Sequence, residues 1–417
     1  MQPSQTDSPS AAAVAAPPGA AAQGPLAGLR VVDLSRYIAG PYCAMLLGDM
    51  GAEVLKIEPP VLGERARGAE PAVGGTSLYT FVVNRNKKSV ALDLRSEAGL
   101  AVLRDLLAYA DVLVENFRPG TMEAMGLSWQ TLHALNPRLV MTRISGFGQD
   151  GPLAGKQCFD GVAQAMSGLM ELTGPADGPP TMIGSFVCDY ATGLYAATGT
   201  VAALHARHAT GRGQCVDVSL LESAASLLMT AIPEQRLLGR TMTRRGSRDR
   251  FVAPSNTFEA GDGRHVLIVG GADDMFPRLV RAMGLPALLD DPRFASMAAR
   301  LDNTDAIEAI VAGWMRVHDA DVLVAKLEAE GLPCAKVARI DEVVASEQLR
   351  HREGIVDIPF AGGSVPMQGV TMHLSETPLA VRSAIPAVGT HTAEVLRDWL
   401  GDDGRRAAAL AALADPA

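Results

Sequence analysis

The chain has 417 residues, 48% of them hydrophobic and 20% charged, with a formal net charge of −9 at pH 7. That length and apolar content allow a large core and two or three domains, and the acidic balance excludes sequence-independent nucleic-acid binding, which needs a concentrated basic surface. Five cysteines (Cys43, Cys158, Cys188, Cys215 and Cys334), without a CxxC pair, argue against a disulfide framework or zinc site and for a reducing compartment.

Residues 1–25 are rich in Ala, Pro, Gly and Ser, lack the features of a secretion signal, and read as a disordered tail. No apolar run is long enough to span a bilayer, so a soluble, cytoplasmic protein without a membrane partner is expected. "LRVVDLS" (29–35) then reads as a buried strand and "GPYCAMLLGDMG" (40–51) as the helix after it. Further strands are expected at 53–59, 89–94, 111–117 and 138–145, with a helix through "SEAGLAVLRDLLAYA" (96–110). Helices alternating with near-continuous apolar strands predict a largely parallel sheet covered on both faces. A long helix runs from about Asp189 to Ala209 and stops at the glycines of "TGRGQ" (210–214). "CVDVSL" (215–220) and "LESAASLLMTAI" (221–232) add a strand and a helix. From Thr241 the text turns basic and loop-like, "GRHVLIVGG" (263–271) reads as part of a hairpin, and helices follow near 274–283, 302–317 and 319–331. The expected division is a large α/β domain over 26–225, a linker and smaller α+β domain over 226–345, a return to the large domain over 346–402, and a tail over 403–417.

Ligands of open parallel sheets bind beyond the carboxyl ends of the strands. The loops there include "RYIAGP" (36–41), "ENFRPG" (115–120) and "SGFGQDGP" (145–152), and "NRNKKS" (84–89) precedes the third strand. Glycine N–H groups beside Asn, Arg and Lys suit a large anionic ligand with a flat ring, although Arg85, Lys87 and Lys88 alone would read as a solvated turn. "GFGQDG" (146–151) matches a dinucleotide fingerprint, but Pro152 follows it instead of a helix, so nicotinamide binding is not expected. His205 and His208 fit the favourable end of a helix dipole better than a metal site, His391 falls near a helix start, and no GxSxG is present. Asp189, a lone acid at the head of an apolar helix, has two open readings, N-cap and nucleophile. Its neighbour Cys188 reads as a buried structural thiol.

"LAGLRVVDLSRYIAGPYCAMLLGDMGAEVLKIEPP", "NRNKKSVALDL", "ADVLVENFRPGTMEAMGL", "SGFGQDGP", "FDGVAQAMSGLMELTG" and "TGRGQCVDVSLLES", in that order, resemble the class III CoA-transferases, a superfamily that includes the 2-methylacyl-CoA racemases. The resemblance covers about 26–400. It implies a Rossmann-like large domain with a smaller α+β domain, in an interlocked homodimer whose site lies near the domain and subunit interface. It implies Asp189 as nucleophile. For CoA contacts it implies Tyr37, Ile38 and Ala39; Asn84, Arg85, Asn86 and Lys87; Asn116, Phe117 and Arg118; and Ser145, Gly146 and Phe147. The substrates would be an acyl-CoA and a small carboxylic acid, with no metal and no covalently bound cofactor. A helix N-terminus would favour the ionised, reactive Asp189.

Formate-type members carry Gln where this chain has Ile38 and a glycine-rich loop where it has only "VGGADD" (269–274). Both departures point away from formyl-CoA/oxalate exchange and toward another acid, a dicarboxylate or a carnitine-like acid. The racemase branch carries a His–Asp pair where this chain has Phe159–Asp160, which removes one of the two groups that proton exchange needs. Racemase activity and a non-catalytic CoA-binding role are the alternatives to CoA transfer.

Overall fold

The computed structural model describes residues 24–360 and 363–401. The tail readings at 1–25 and 403–417 fall outside these residues, apart from Gly24 and Pro25. Six strands form the central sheet: β1 (Arg30–Asp33), β2 (Glu53–Glu58), β3 (Lys87–Ala91), β4 (Val112–Glu115), β5 (Val140–Ser145) and β6 (Cys215–Ser219). Every pairing is parallel, in the order β3-β2-β1-β4-β5-β6. The chain begins in the middle, builds outward through β2 and β3, then crosses to β4 and builds the other way. The order therefore reverses between β1 and β4, the switch point beyond whose strand ends open parallel sheets bind ligands.

Five helices bear on the site: α1 (Ala39–Asp49), α2 (Glu97–Ala108), α3 (Asp160–Ser167), α4 (Val187–Thr210) and α5 (Leu220–Ala225). Strand side chains alternate between faces, so the neighbours Val31 and Val32 serve different cores. Val32, Leu55, Leu113 and Met141 pack with Val102, Leu103, Leu106 and Leu107 of α2. On the opposite face Val31, Val54, Val112 and Val140 meet α1 and α4. Each fully buried leucine of α2 stabilises the fold by roughly 1.5–3 kcal/mol. Close contact between α4 and α1 requires Gly193, where a Cβ would lie 2.8 Å from both Ala39 O and Tyr42 Cδ1.

Two elements differ from expectation. β3 starts at Lys87, two residues before the apolar run. Lys87 and Lys88 enter the strand because acids of neighbouring elements receive their ammonium groups. The helix expected over 221–232 stops at Ala225. Ser223 and Ser226 hydroxyls donate to the carbonyls of Ser219 and Ser223, which competes with continued helix, and Met229 takes a left-handed φ of 51°.

A second, antiparallel sheet holds β7 (Ser255–Glu259), β8 (His265–Val269) and β9 (Cys334–Lys336). Its helices α6 (Phe276–Met283), α7 (Thr304–Met315) and α8 (Ala320–Ala329) share a separate core with Phe258 and Ile268. The hairpin of β10 (Ile355–Phe360) and β11 (Gly363–Gln368) was not foreseen, because Pro359 and Pro366 break the apolar alternation. A two-stranded ribbon tolerates proline. α9 (Thr392–Leu400) returns to the central sheet and buries Val395, Leu396 and Trp399 in the α2 core. His391 precedes it, its Nδ1 accepting the Ser89 N–H. No helix among the described residues is long and apolar enough to cross a membrane.

Candidate active site

The loops after β1 and β4 meet at the switch point. Asn116 joins them: its Oδ1 accepts the Arg36 N–H and its Nδ2 donates to Arg36 O, both at 2.8 Å. The Arg36 guanidinium lies 5.1 Å from the centre of the Phe117 ring, a cation–π contact. Tyr37 holds a left-handed φ of 66° and donates its N–H to Glu64 at 3.1 Å. Such a conformation is uncommon for a bulky residue and marks a constrained loop. Ile38 and Ala39 are buried where α1 begins. Arg36 and Arg118 are exposed, and no carboxylate among the described residues pairs with either. Arg36 opens the same "RYIAGP" loop, one residue before the contacts that the resemblance implies.

Beyond β5, Ser145 Oγ accepts the Gly148 N–H at 2.9 Å and holds a tight turn. Gly146 sits directly against Cys158 and leaves no room for a Cβ, while Phe147 is half-buried. The contact with Cys158 places Phe159 and Asp160, at the start of α3, beside this turn. The Phe159 ring is 61% exposed and meets Tyr37 edge-on at 5.8 Å. Phe159 thus bridges the β1 loop and α3.

Asp189 lies on the third residue of α4, which begins at Val187. The N-cap reading is therefore corrected, because the free N–H groups of the first turn are taken by another helix. Asp160 Oδ2 accepts the N–H of Cys188 at 2.7 Å and of Asp189 at 3.2 Å. Gln164 donates to Asp160 Oδ1 at 2.5 Å, and its own Oε1 accepts the Ile183 N–H at 2.9 Å. Asp160 is 2% exposed and Gln164 is fully buried. The Asp189 carboxylate is half-buried, and among the described residues no side chain hydrogen-bonds to it. Burial, and then the charge of Asp160, push its pKa up to about 7. This reverses the expectation that the helix N-terminus keeps Asp189 readily ionised: desolvation beside a second acid outweighs the dipole. Cys188 is fully buried, as expected, and burial pushes its thiol up to about 12. Burial and then Asp189 push Cys158 up to about 11, so neither thiol is an activated nucleophile.

The Asn84–Lys87 segment is neither a solvated turn nor a free cationic loop. Arg85 is buried and pairs with Asp49 at 2.7 Å, and it also donates to the carbonyls of Gln368 and Gly369. Asn86 Nδ2 donates to Asp49 and Ala380 O, while its Oδ1 accepts the N–H groups of Arg382 and Ser383. Asp49 ends α1, so these contacts lie at the amino end of the sheet, away from Tyr37. Lys87 reaches upward to Asp33, Pro41 O and Asn84, each at 2.8 Å. Asn84 donates to Glu64 at 3.1 Å, and Glu64 receives Tyr37. Lys88 pairs with Glu53 and Glu394.

Residues 26–392 match CoA-transferase family III. The chain is 40% identical over 379 residues to a succinyl-CoA–D-citramalate CoA-transferase of Chloroflexus aurantiacus, covering 90% of this chain and 94% of that one. The chain belongs to CoA-transferase family III. An acetyl-CoA:oxalate CoA-transferase of Acetobacter aceti is 38% identical over 358 residues, or 83% of this chain and 90% of that one. Among solved structures, a CaiB/BaiF family protein from Brucella suis superimposes with a TM-score of 0.83 at 34% identity, covering 90% of this chain and all of that one. Membership makes CoA thioesters the substrate class of this enzyme family. Two clefts of the single chain lie elsewhere. One, of about 760 Å³, is lined by Arg244, Arg245, Arg248 and the start of α7, and the other, of about 630 Å³, by Lys88, Arg382 and His391. Asp189 lines neither.

Proposed function

We propose that the protein moves CoA from an acyl-CoA thioester to a free carboxylic acid by covalent catalysis at Asp189. The observation that carries this reading is a carboxylate at a helix N-terminus, half-buried, unpaired with any cation among the described residues, and raised to about 7. A more basic carboxylate is a stronger nucleophile, and near neutral pH a large fraction remains ionised. An Asp189 oxygen attacks the thioester carbonyl. The C–S bond breaks, CoA leaves as thiolate and a mixed anhydride forms. The thiolate then attacks the aspartyl carbonyl, releasing the donor acid as carboxylate and leaving an aspartyl-CoA thioester. The acceptor carboxylate repeats both steps in reverse, which restores Asp189. These steps require no metal or redox group.

In this reading CoA lies along the switch-point crevice. Arg36 and Arg118 face its phosphates beside Asn116 and Phe117. Tyr37, Ile38 and Ala39 and Ser145, Gly146 and Phe147 border the path to Asp189. Asn84 and Lys87 act as the support under that path, whereas Arg85 and Asn86 brace the amino end of the sheet. The dicarboxylate exchanges named for the relatives favour a dicarboxylate as donor or acceptor. A homodimer is part of the proposal, supported by the number of large apolar side chains left exposed on one chain, among them Leu194, Tyr195, Met229, Leu237 and Leu238. Proton exchange at an α-carbon gains no support, because Phe159 offers no proton.

Trapping tests the covalent route. With acyl-CoA and borohydride present during turnover, hydride reduces the aspartyl-CoA thioester to the alcohol and CoA leaves as thiolate, so the tryptic peptide that contains Asp189 carries the lighter homoserine side chain there, read by mass spectrometry. An unmodified Asp189 in an actively turning-over enzyme would rule the route out. Solvent deuterium entering the α-carbon of a 2-methylacyl-CoA would favour racemisation.

A further inference from the structure

We propose that Asp160 is the positioning residue of this site: its carboxylate fixes the first turn of α4 and supplies the negative surroundings in which the Asp189 carboxylate works. The inference rests on the nucleophile reading of Asp189.

The geometry assigns two separable jobs to one side chain. Asp160 Oδ2 receives both N–H groups that carry Cys188 and Asp189, and these have no partner inside α4. Gln164 locks the other oxygen and also holds the approach to the helix through Ile183 N–H and Ser185 O. α3 therefore clamps the 183–189 segment that delivers the nucleophile. A neutral acceptor could cap those N–H groups equally well. A carboxylate buried beside Asp189, with Gln164 as its only side-chain partner among the described residues, does more: it disfavours a second negative charge.

The groups facing Asp189 are few. Asp160 comes from α3, Cys158 from the turn before it, and Cys188 and Tyr190 from α4 itself; Tyr42 of α1 packs edge-on to Tyr190 at 4.8 Å. No lysine or arginine is among them. Asp160 is accordingly the one fixed charge within the described residues that acts on Asp189.

Two substitutions separate the jobs. Asp160→Asn keeps an oxygen for the N–H groups and removes the charge. Asp160→Glu keeps the charge and displaces the oxygen by one methylene. The readout is exchange of labelled succinate into succinyl-CoA across pH 5–9. Expected for Asp160→Asn is an acid limb of kcat/KM displaced downward by about one pH unit, with kcat at pH 8.5 within about threefold of wild type. Expected for Asp160→Glu is an unmoved limb with kcat lowered by about tenfold or more and KM for succinyl-CoA within about twofold. An unmoved limb in Asp160→Asn overturns the charge role, and an unchanged kcat in Asp160→Glu overturns the clamp. If Asp160→Asn fails to fold, Asp160→Glu still decides the clamp. Asp189→Asn is run alongside: wild-type exchange in that variant sinks the nucleophile reading itself, whereas its inactivity combined with unaltered Asp160 variants sinks only this proposal.

Discussion

Two groups of acids withdrawn from solvent are treated in opposite ways. Under the β1 loop, every acid meets a cation. Asp33 receives Lys87 at 2.8 Å and faces Lys56 at 3.8 Å, Glu64 pairs with Lys56 at 3.3 Å, and Glu58 binds Arg67 at 2.6 Å. Burial alone would raise Asp33, but Lys56 and Lys87 prevail and hold it below the usual carboxylate range. At the head of α4 the acids face N–H groups and each other, and Asp189 moves the other way, up to about 7. Burial is common to both groups, so it does not distinguish them; the presence of a counter-charge does. Paired acids form the scaffold under Tyr37, and Asp189, without a counter-charge among the described residues, is the one to which the proposal gives the chemistry.

The contrast breaks most visibly at Asp189. Asp189→Asn keeps the shape and removes the proposed nucleophile, and kcat for CoA exchange is expected to fall by about 10³-fold or more, roughly 4 kcal/mol in barrier. Residual exchange within tenfold of wild type would remove Asp189 from the chemistry. In the scaffold, Asp33→Asn removes the carboxylate paired with the buried Lys87 and leaves Lys56 with Glu64. Removing one partner of such a buried cluster costs roughly 3–5 kcal/mol, measurable by urea unfolding at pH 7. Asp33 has a depressed pKa, so its contribution is present above the unfolded value and is lost as pH falls through the folded one. The gap between wild type and Asp33→Asn therefore narrows below about pH 4.

The two groups were unequally legible in the sequence. Parallel strands buried on both faces announce themselves as apolar runs, so β1, β2, β4 and β5 and their switch point could be read from residue type alone. Asp189 stood out because a single acid interrupted an apolar helix. Its partner Asp160 is 29 residues away, and only the packing of α3 on α4 brings it to the Asp189 N–H. The same limit explains the cationic segment. Arg85 and Lys87 look solvated in sequence because Asp49 and Asp33, which neutralise them, lie 36 and 54 residues earlier. Charge in a sequence is visible, whereas its neutralisation is a tertiary fact. The hairpin of β10 and β11 escaped for a local reason, its two prolines.

A raised carboxylate is also a stability statement. Asp189 has a folded pKa above its unfolded value, so the stability it leaves intact at low pH is lost as pH rises from about 4 through about 7. Asp189→Asn does not titrate and escapes that loss. This variant is expected to be more stable than wild type at pH 8 by about 2 kcal/mol, less than the full shift implies because the group is half-buried, and nearly equal to it at about pH 3. Urea midpoints at the two pH values check this. Equal gaps at both would mean that Asp189 is not strained by its surroundings.

The smallest effect expected is at the switch-point loops, where the cations are exposed and no carboxylate among the described residues pairs with them. Arg36 and Arg118 flank Phe117, on the loops that follow β1 and β4, and nothing in the core depends on their charge. Replacing either with Ala should leave the unfolding midpoint within about 0.5 kcal/mol of wild type, as for other surface positions. If they face the phosphates of CoA, each loss weakens binding without touching Asp189. KM for the acyl-CoA donor then rises by about tenfold, roughly 1.4 kcal/mol, while kcat is retained, the pattern of an interaction equal in ground and transition states. Raising the salt concentration should increase KM in wild type and do so less in Arg36→Ala, because exposed charges are screened. A KM that ignores both substitutions would detach the crevice from the anionic end of the substrate and leave Asp189 needing a different approach path. A fall in kcat with KM unchanged would instead place the arginines in the transition state, making the unpaired cations partners of the unpaired acid.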